Sequence, residues 1–110
     1  MIMILKTREE AIMDAWKQIQ QYCKEKYAGK LGGDGTWIEY KYDHFFSLMP
    51  NGDAYLSGGT GCMSYRHYHP IKQNKDNESI IAHTELAVQN WPYIKRKLEE
   101  RIDGVYNFKI

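Results

Sequence analysis

Apolar side chains recur every three or four residues near the start of the chain, which is the spacing of one face of an α-helix. Thr7 and Glu10 form a capping-box signature at the beginning of this segment, because each side chain can satisfy an amide that the first helical turn leaves unpaired. Gly29 can end the helix in a left-handed conformation. The predicted inner face consists of Ile12, Ala15, Trp16, Ile19, Tyr22, Cys23 and Tyr27.

From Thr36 to Met49 the pattern changes to the β-branched and aromatic residues that are typical of strands. Even-numbered positions from Ile38 to Tyr42 are apolar and the positions between them are polar, so this strand should turn one face inward. The alternation loses phase around Asp43 and His44, which predicts a tight turn or a bulge. We expect four aromatic or aliphatic side chains in the core beneath the helices: Ile38, Tyr40, Tyr42 and Phe46.

The segment Pro50–Asp53 contains Asn-Gly, the preferred dipeptide of a two-residue hairpin turn that needs positive φ. It separates two strand-like segments and therefore predicts a β-hairpin. Cys62 to His69 resumes an aromatic, strand-like pattern that Pro70 closes. A third or fourth strand is expected there.

Two helices are predicted toward the end of the chain. Asn77 suits the N-cap of the first helix. Pro92 has no amide to donate, so the first helix should end near Asn90 and a second should begin with Pro92 in its first turn. Gly104 should end that helix, with residues 105–110 as a short strand or an extended tail. The order of elements predicts an α+β fold with an N-terminal helix, a three- to four-stranded antiparallel sheet and two C-terminal helices packed on one sheet face.

The composition fits one soluble domain over residues 1–110. Apolar residues make up 43% of the 110 residues and charged residues 26%, so a core is available without metal or disulfide staples. The apolar run from Met1 to Leu5 is too short for a signal-peptide core or a spanning helix, so we expect a cytoplasmic protein without membrane contact. The two cysteines, Cys23 and Cys62, lack C-x-x-C spacing and are expected to be free thiols.

The distribution of charge is more informative than the net charge of +1, which argues against a DNA mimic and against a strongly basic coat protein. No acidic residue lies between Asp53 and Asp76. Tyrosine and arginine are enriched at energetically important interface positions. We therefore expect this segment to bind a protein partner with an acidic surface. The candidate binding residues are Tyr55, Tyr65, Arg66, His67, Tyr68, His69, Lys72 and Lys75.

Two other interpretations of the same segment stay open. Its rings and cations could stack on bases and hold phosphates, as in a nucleic-acid-binding module. Alternatively, the tyrosines fill the core and the cations lie on a solvated edge strand, where charge discourages aggregation.

A small metal-dependent enzyme is a further alternative, since His67 and His69 would project from the same face of one strand. Cys62 has the opposite parity, so a further ligand would have to come from His44 or His83. This spacing matches no standard metal-binding pattern. Solvent-facing histidines on a sheet are the simpler explanation.

Other catalytic arrangements lack a supporting motif. Cys62 could pair with a histidine as a nucleophile. Glu39 with Asp43 is the best available carboxylate pair, but we expect both to lie on a solvated charged face. The glycine-rich segments 32–35 and 58–61 match no phosphate-binding pattern and are predicted to be turns. We therefore expect a protein without catalytic activity or cofactor.

The predicted layout and size resemble those of small phage or mobile-element proteins that block host machinery, including some anti-CRISPR proteins. This resemblance lies in the architecture and covers no diagnostic residue. It implies an accessory or inhibitory binding protein, whereas the near-neutral charge does not match the DNA-mimicking version of that role.

Overall fold

The computed structural model describes residues 7–58 and 77–102. Three helices and three strands occur in these ranges, in the order α1 (Arg8–Tyr27), β1 (Thr36–Lys41), β2 (His44–Leu48), β3 (Ala54–Gly58), α2 (Asn77–Gln89) and α3 (Trp91–Ile102). The strands form an antiparallel sheet of order β1-β2-β3. The predicted α+β order is confirmed, while the strand expected at Cys62 to His69 and the tail from 105 to 110 lie outside the described residues.

Both ends of α1 follow the sequence signals. The Glu10 amide donates to Thr7 Oγ1 at 3.1 Å, and the Thr7 amide donates to Glu10 Oε1 at 3.0 Å, which completes the predicted capping box. Beyond the C-cap residue Ala28, Gly29 has φ of 76° and turns the chain away from the helix axis. Both predicted ends of the helix are confirmed.

The two connections within the sheet are tight turns. Asp43 adopts φ of 60° between β1 and β2, and the register of that strand pair shifts between Glu39 and Lys41. Gly52 has φ of 90° in the β2–β3 turn, and its amide donates to the Met49 carbonyl at 2.9 Å. The predicted irregularity after β1 and the predicted hairpin are both confirmed, although residues 49–53 separate the strands, so the connection is longer than the two-residue turn expected from Asn-Gly.

Gly35 permits the close approach of the chain to β2 just before β1 begins. Its φ is 86°, and a Cβ atom at this position would overlap the carbonyl oxygen of Leu48. A left-handed conformation combined with such a backbone contact requires glycine. The turn predicted from the glycine-rich sequence is therefore also a packing site between β1 and the end of β2.

The helices cover one face of the sheet. Trp16 on α1 is fully buried and meets Phe46 on β2 edge to face, with ring centroids 6.0 Å apart. Facing side chains from all six elements form one apolar cluster: Trp16, Ile19, Cys23, Tyr27, Ile38, Tyr40, Phe46, Leu48, Ala54, Leu56, Ala87, Ile94 and Leu98. This cluster contains three of the four predicted core residues of the strands.

Tyr42 is the exception, since 89% of the residue is exposed. The prediction that it lies in the core is wrong because β1 ends at Lys41 and Tyr42 belongs to the turn. The packing of the helices on one face of the sheet leads us to expect a free opposite face, but this expectation is wrong at the centre of the sheet. Phe45, Ser47 and Ser57 project from that face, yet they are only 6%, 1% and 3% exposed.

The helical structure is interrupted between α2 and α3, as the position of Pro92 in the sequence predicts. Asn90 closes α2 through its side-chain amide, which donates to the Leu86 carbonyl at 2.8 Å. Pro92 then occupies the first turn of α3, where a helix needs no amide donor. The break leaves Trp91 beside α1, with its ring 5.6 Å from that of Tyr22.

Candidate functional site

One of the eight candidate binding residues from the sequence lies within the described part of the chain. Tyr55 is half-buried on β3, and its hydroxyl donates to Asp53 Oδ2 at 3.5 Å. Asp53 also accepts a 2.8 Å hydrogen bond from Lys24, which is the main reason that its pKa is lowered. The other seven residues lie outside the described residues, and their role stays a prediction: Tyr65, Arg66, His67, Tyr68, His69, Lys72 and Lys75.

Two further groups of tyrosines and cations lie on α1 and α3. Tyr22 lies beside Lys26 and Lys95, and Tyr93 lies beside Arg96 and Lys97. Together we call these six residues the aromatic–cation surface. Because Ile94 and Leu98 are fully buried against the core, the helical repeat places Arg96 on the solvent side of α3 and Lys95 and Lys97 on its two flanks.

Tyr22 is the centre of this surface. The ammonium group of Lys95 lies 5.3 Å from the centre of its ring, within the range of cation–π attraction. Lys26 Nζ also donates to Tyr22 Oη at 3.1 Å, and the Trp91 ring packs edge to face on the Tyr22 ring. These contacts hold the tyrosine in one orientation.

Tyr93 forms the outer part of the surface. It is 38% exposed, and the Arg96 guanidinium carbon and Lys97 Nζ each lie 5.7 Å from its ring centre. The ring of Tyr93 is therefore partly exposed to solvent and is flanked by two positive charges.

The surface carries an excess of positive charge. Lys26 lies 3.8 Å from Glu99, and Lys97 lies 3.4 Å from Glu100, so two of its cations are balanced. Neither Lys95 nor Arg96 forms an ion pair with another residue of the described chain. These two side chains are available to an external carboxylate or phosphate group.

A cavity of about 340 Å³ opens beside Lys95, between α1 and the junction of α2 and α3. Its lining residues are Ala15, Gln18, Ile19, Tyr22, Val88, Trp91 and Lys95. The sequence pattern assigned Ala15 and Tyr22 to the inner face of the first helix, and both are half-buried. Tyr22, Val88 and Trp91 pack against the edge of the core and also line this cavity.

The two described histidines lie side by side. His44 on β2 and His83 on α2 have ring centroids 5.2 Å apart, and the Tyr40 ring lies 6.1 Å from His44. Within residues 7–58 and 77–102, no group of three or more histidine, cysteine or acidic side chains could hold a metal ion. The alternative based on His67 and His69 concerns residues outside these ranges.

The carboxylate pair considered for acid–base chemistry is part of a turn. Glu39 Oε2 accepts a 2.9 Å hydrogen bond from the Asp43 amide, and Asp43 is only 7% exposed. The expectation that both lie on a solvated charged face is therefore wrong for Asp43. Glu39 stabilises the left-handed conformation of Asp43 through this bond.

Cys23 is a buried part of the core. Its residue is 0% exposed, and burial raises the pKa of the thiol to about 12. A thiol of this kind is a poor nucleophile at neutral pH.

No helix in the described parts of the chain is long and apolar enough to cross a membrane.

The sequence contains a signal for the aromatic–cation surface that the hydrophobic pattern did not use. Lys95, Arg96 and Lys97 are the only three consecutive basic residues in the chain, and Tyr93 and Trp91 precede them closely. The hydrophobic pattern placed Tyr22 on the inner face of the first helix, but it could not show that Tyr22 meets α3, which lies about 70 residues later in the chain.

Comparisons with models of protein families, with curated proteins and with solved structures gave no match for this chain.

Proposed function

We propose that the chain is a small non-enzymatic protein-binding domain that recognises an acidic surface of its partner through the aromatic–cation surface. The observation that carries this proposal is the placement of Lys95 and Arg96 on the rings of Tyr22 and Tyr93, without carboxylate partners among the described residues. Tyrosine and arginine side chains contribute strongly to binding energy at interfaces. Because the rings hold these cations in position, binding costs less side-chain entropy.

The acid-free segment from Tyr55 to Lys75 is a second part of the proposal. It offers three tyrosines and several cations without an acidic residue, which suits the same kind of partner. An accessory or inhibitory role, such as blocking host machinery from a phage or mobile element, fits the small size and the layout of the chain. A cytoplasmic location fits a chain with only two cysteines, of which Cys23 is a buried free thiol.

The experiment combines partner capture with charge reversal. The tagged chain is used to capture proteins from its native host, and the recovered partner is then produced for calorimetric titration. Reversal of both free cations, Lys95→Glu with Arg96→Glu, should weaken binding at least about tenfold, because each introduced carboxylate repels an acidic partner. The matched control is Lys17→Glu with Lys30→Glu, which reverses two exposed lysines elsewhere and should change Kd less than about threefold.

Three outcomes would contradict the proposal or relocate the site. Equal affinity of the Lys95/Arg96 variant and the control variant would exclude the aromatic–cation surface. A variant with Tyr65, Arg66 and Tyr68 replaced tests the acid-free segment. If it stays folded and is the only variant that loses the partner, the site lies in that segment. Recovery of nuclease-sensitive material whose affinity falls steeply with salt would instead identify a nucleic-acid-binding module.

A further inference from the structure

The cavity beside Lys95 has the size and lining of a site for a small ligand. Its volume of about 340 Å³ lies at the lower end of the range for ligand pockets, roughly 300 to 1,000 Å³. Ile19, Val88 and Trp91 supply an apolar wall, while Gln18 and Lys95 are the only strongly polar side chains of the lining. A mostly apolar wall with a few polar groups is the usual composition of such sites.

The polar end of the cavity selects for negative charge. Lys95 Nζ lies 5.3 Å from the centre of the Tyr22 ring, and no carboxylate of the described residues pairs with it. Lys95 is half-buried, so its attraction to an anion is stronger than in bulk water. A cationic ligand would be repelled at this position. The exposed side-chain amide of Gln18 can donate a hydrogen bond to the same anion.

The aromatic wall is held in place from both sides. The Trp91 ring lies 5.6 Å from the Tyr22 ring and 6.0 Å from the ring of Phe46, which is fully buried in the core. Lys26 fixes Tyr22 through its hydrogen bond to the hydroxyl. Since the wall is supported before a ligand arrives, little binding energy is lost to reorganisation.

We propose that this cavity binds a small amphipathic carboxylate, whose apolar body lies against Ile19, Val88 and Trp91 and whose carboxylate pairs with Lys95. The volume suits one small molecule. Lys95 and Tyr22 belong to both this cavity and the aromatic–cation surface. The inference concerns a small ligand and is tested without a protein partner, so the two proposals can fail separately.

The experiment uses two test compounds that differ only in charge, 4-phenylbutyrate and its neutral amide. Both are titrated into the ¹⁵N-labelled full chain while the indole N–H resonance of Trp91 is followed by NMR. We expect a Kd on the order of 1 mM for the carboxylate. The amide should bind about threefold more weakly, as expected for the loss of one partly exposed ion pair.

Two variants separate the apolar and the charged contributions. Lys95→Gln should abolish the preference for the carboxylate and leave the affinity for the amide unchanged, whereas Lys17→Gln, an exposed lysine of α1 outside the cavity, should retain the preference. Ala15→Leu fills the cavity and should weaken both compounds at least about tenfold. Ala11→Leu on the exposed side of α1 is its control and should bind both normally.

Several results would overturn the inference. The first is equal affinity for the two compounds. The second is a preference for the carboxylate that persists in Lys95→Gln, and the third is a ligand-induced shift of the Trp91 resonance that persists in Ala15→Leu. Absence of saturation at concentrations of tens of millimolar would equally reject the site. Because none of these measurements involves a protein partner, their failure leaves the proposed function to be decided by its own capture experiment.

Discussion

The Gly29 amide donates a 2.9 Å hydrogen bond to the carbonyl oxygen of Pro50, which joins the C-terminal end of α1 to the β2–β3 turn. The ion pair of Lys24 with Asp53, at 2.8 Å, crosses the same junction. Gly52 lies beneath these contacts, and a Cβ atom on it would be 3.1 Å from the Cα atoms of both Lys24 and Ala28. The hairpin is therefore packed directly against the backbone of the helix.

Gly52→Ala should destabilise the protein, because the added methyl group meets a helix backbone and Gly52 has φ of 90°. Strain and overpacking together should lower the free energy of unfolding by about 2–4 kcal/mol. Gly33→Ala is the matched control, since Gly33 also has positive φ but its Cβ would have no neighbour within 4 Å. It should cost only about 1 kcal/mol. Urea denaturation compares the two, and equal losses would show that the contact with α1 contributes nothing.

Tyr40 and Tyr42 should respond very differently to substitution by alanine. Tyr40 is 9% exposed within the core cluster, so its removal should lower the free energy of unfolding by about 2–4 kcal/mol. Tyr42 is 89% exposed, and its removal should change that free energy by less than about 0.5 kcal/mol. Thermal and urea denaturation measure both variants. A loss above about 2 kcal/mol for Tyr42→Ala would contradict the turn conformation described for this residue.

These two tyrosines show where the sequence was sufficient for the fold and where it was not. Thr7, Gly52 and Pro92 act through local backbone chemistry, so their elements could be predicted from neighbouring residues alone. Tyr42 continues the alternation of β1 in the sequence, yet the strand ends one residue earlier at a turn stabilised by Glu39. The phase of an alternating pattern does not determine the residue at which a strand stops.

The candidate site was less predictable because its parts are distant in the chain. Tyr22 and Lys95 meet only after α1 and α3 have packed on the sheet. Helical periodicity identified Tyr22 as inward-facing, but it cannot distinguish a filled core from the wall of a cavity. Only the run from Lys95 to Lys97 was visible locally.

His44 should make stability depend on pH in the mildly acidic range. Burial is the main cause that lowers its pKa below the ordinary value of 6.5, with Asp43 opposing this effect and Lys41 adding to it. Because the unfolded chain then binds more protons than the folded chain, the free energy of unfolding should fall as the pH drops below 6.5. Among the described residues, the rings of His83 and Tyr40 also lie beside it.

Urea denaturation between pH 5 and pH 8 measures this dependence, and His44→Gln should make it less steep. Asp53 does not account for it: its pKa is lowered from 3.8, so its contribution is lost only at more acidic pH. Glu9→Gln, which removes an exposed carboxylate from the first turn of α1, is the control and should keep the dependence of the wild type. An unchanged slope in His44→Gln would assign the effect to another group.

Cys23 should be inert toward thiol reagents while the protein is folded. Its residue is fully buried, and the pKa of about 12 leaves almost no thiolate at pH 8. In a Cys62→Ser variant, which contains Cys23 alone, reaction with Ellman's reagent should be at least about a hundredfold slower than in the same variant unfolded in guanidinium chloride. Equal rates with and without denaturant would show that α1 separates readily from the sheet.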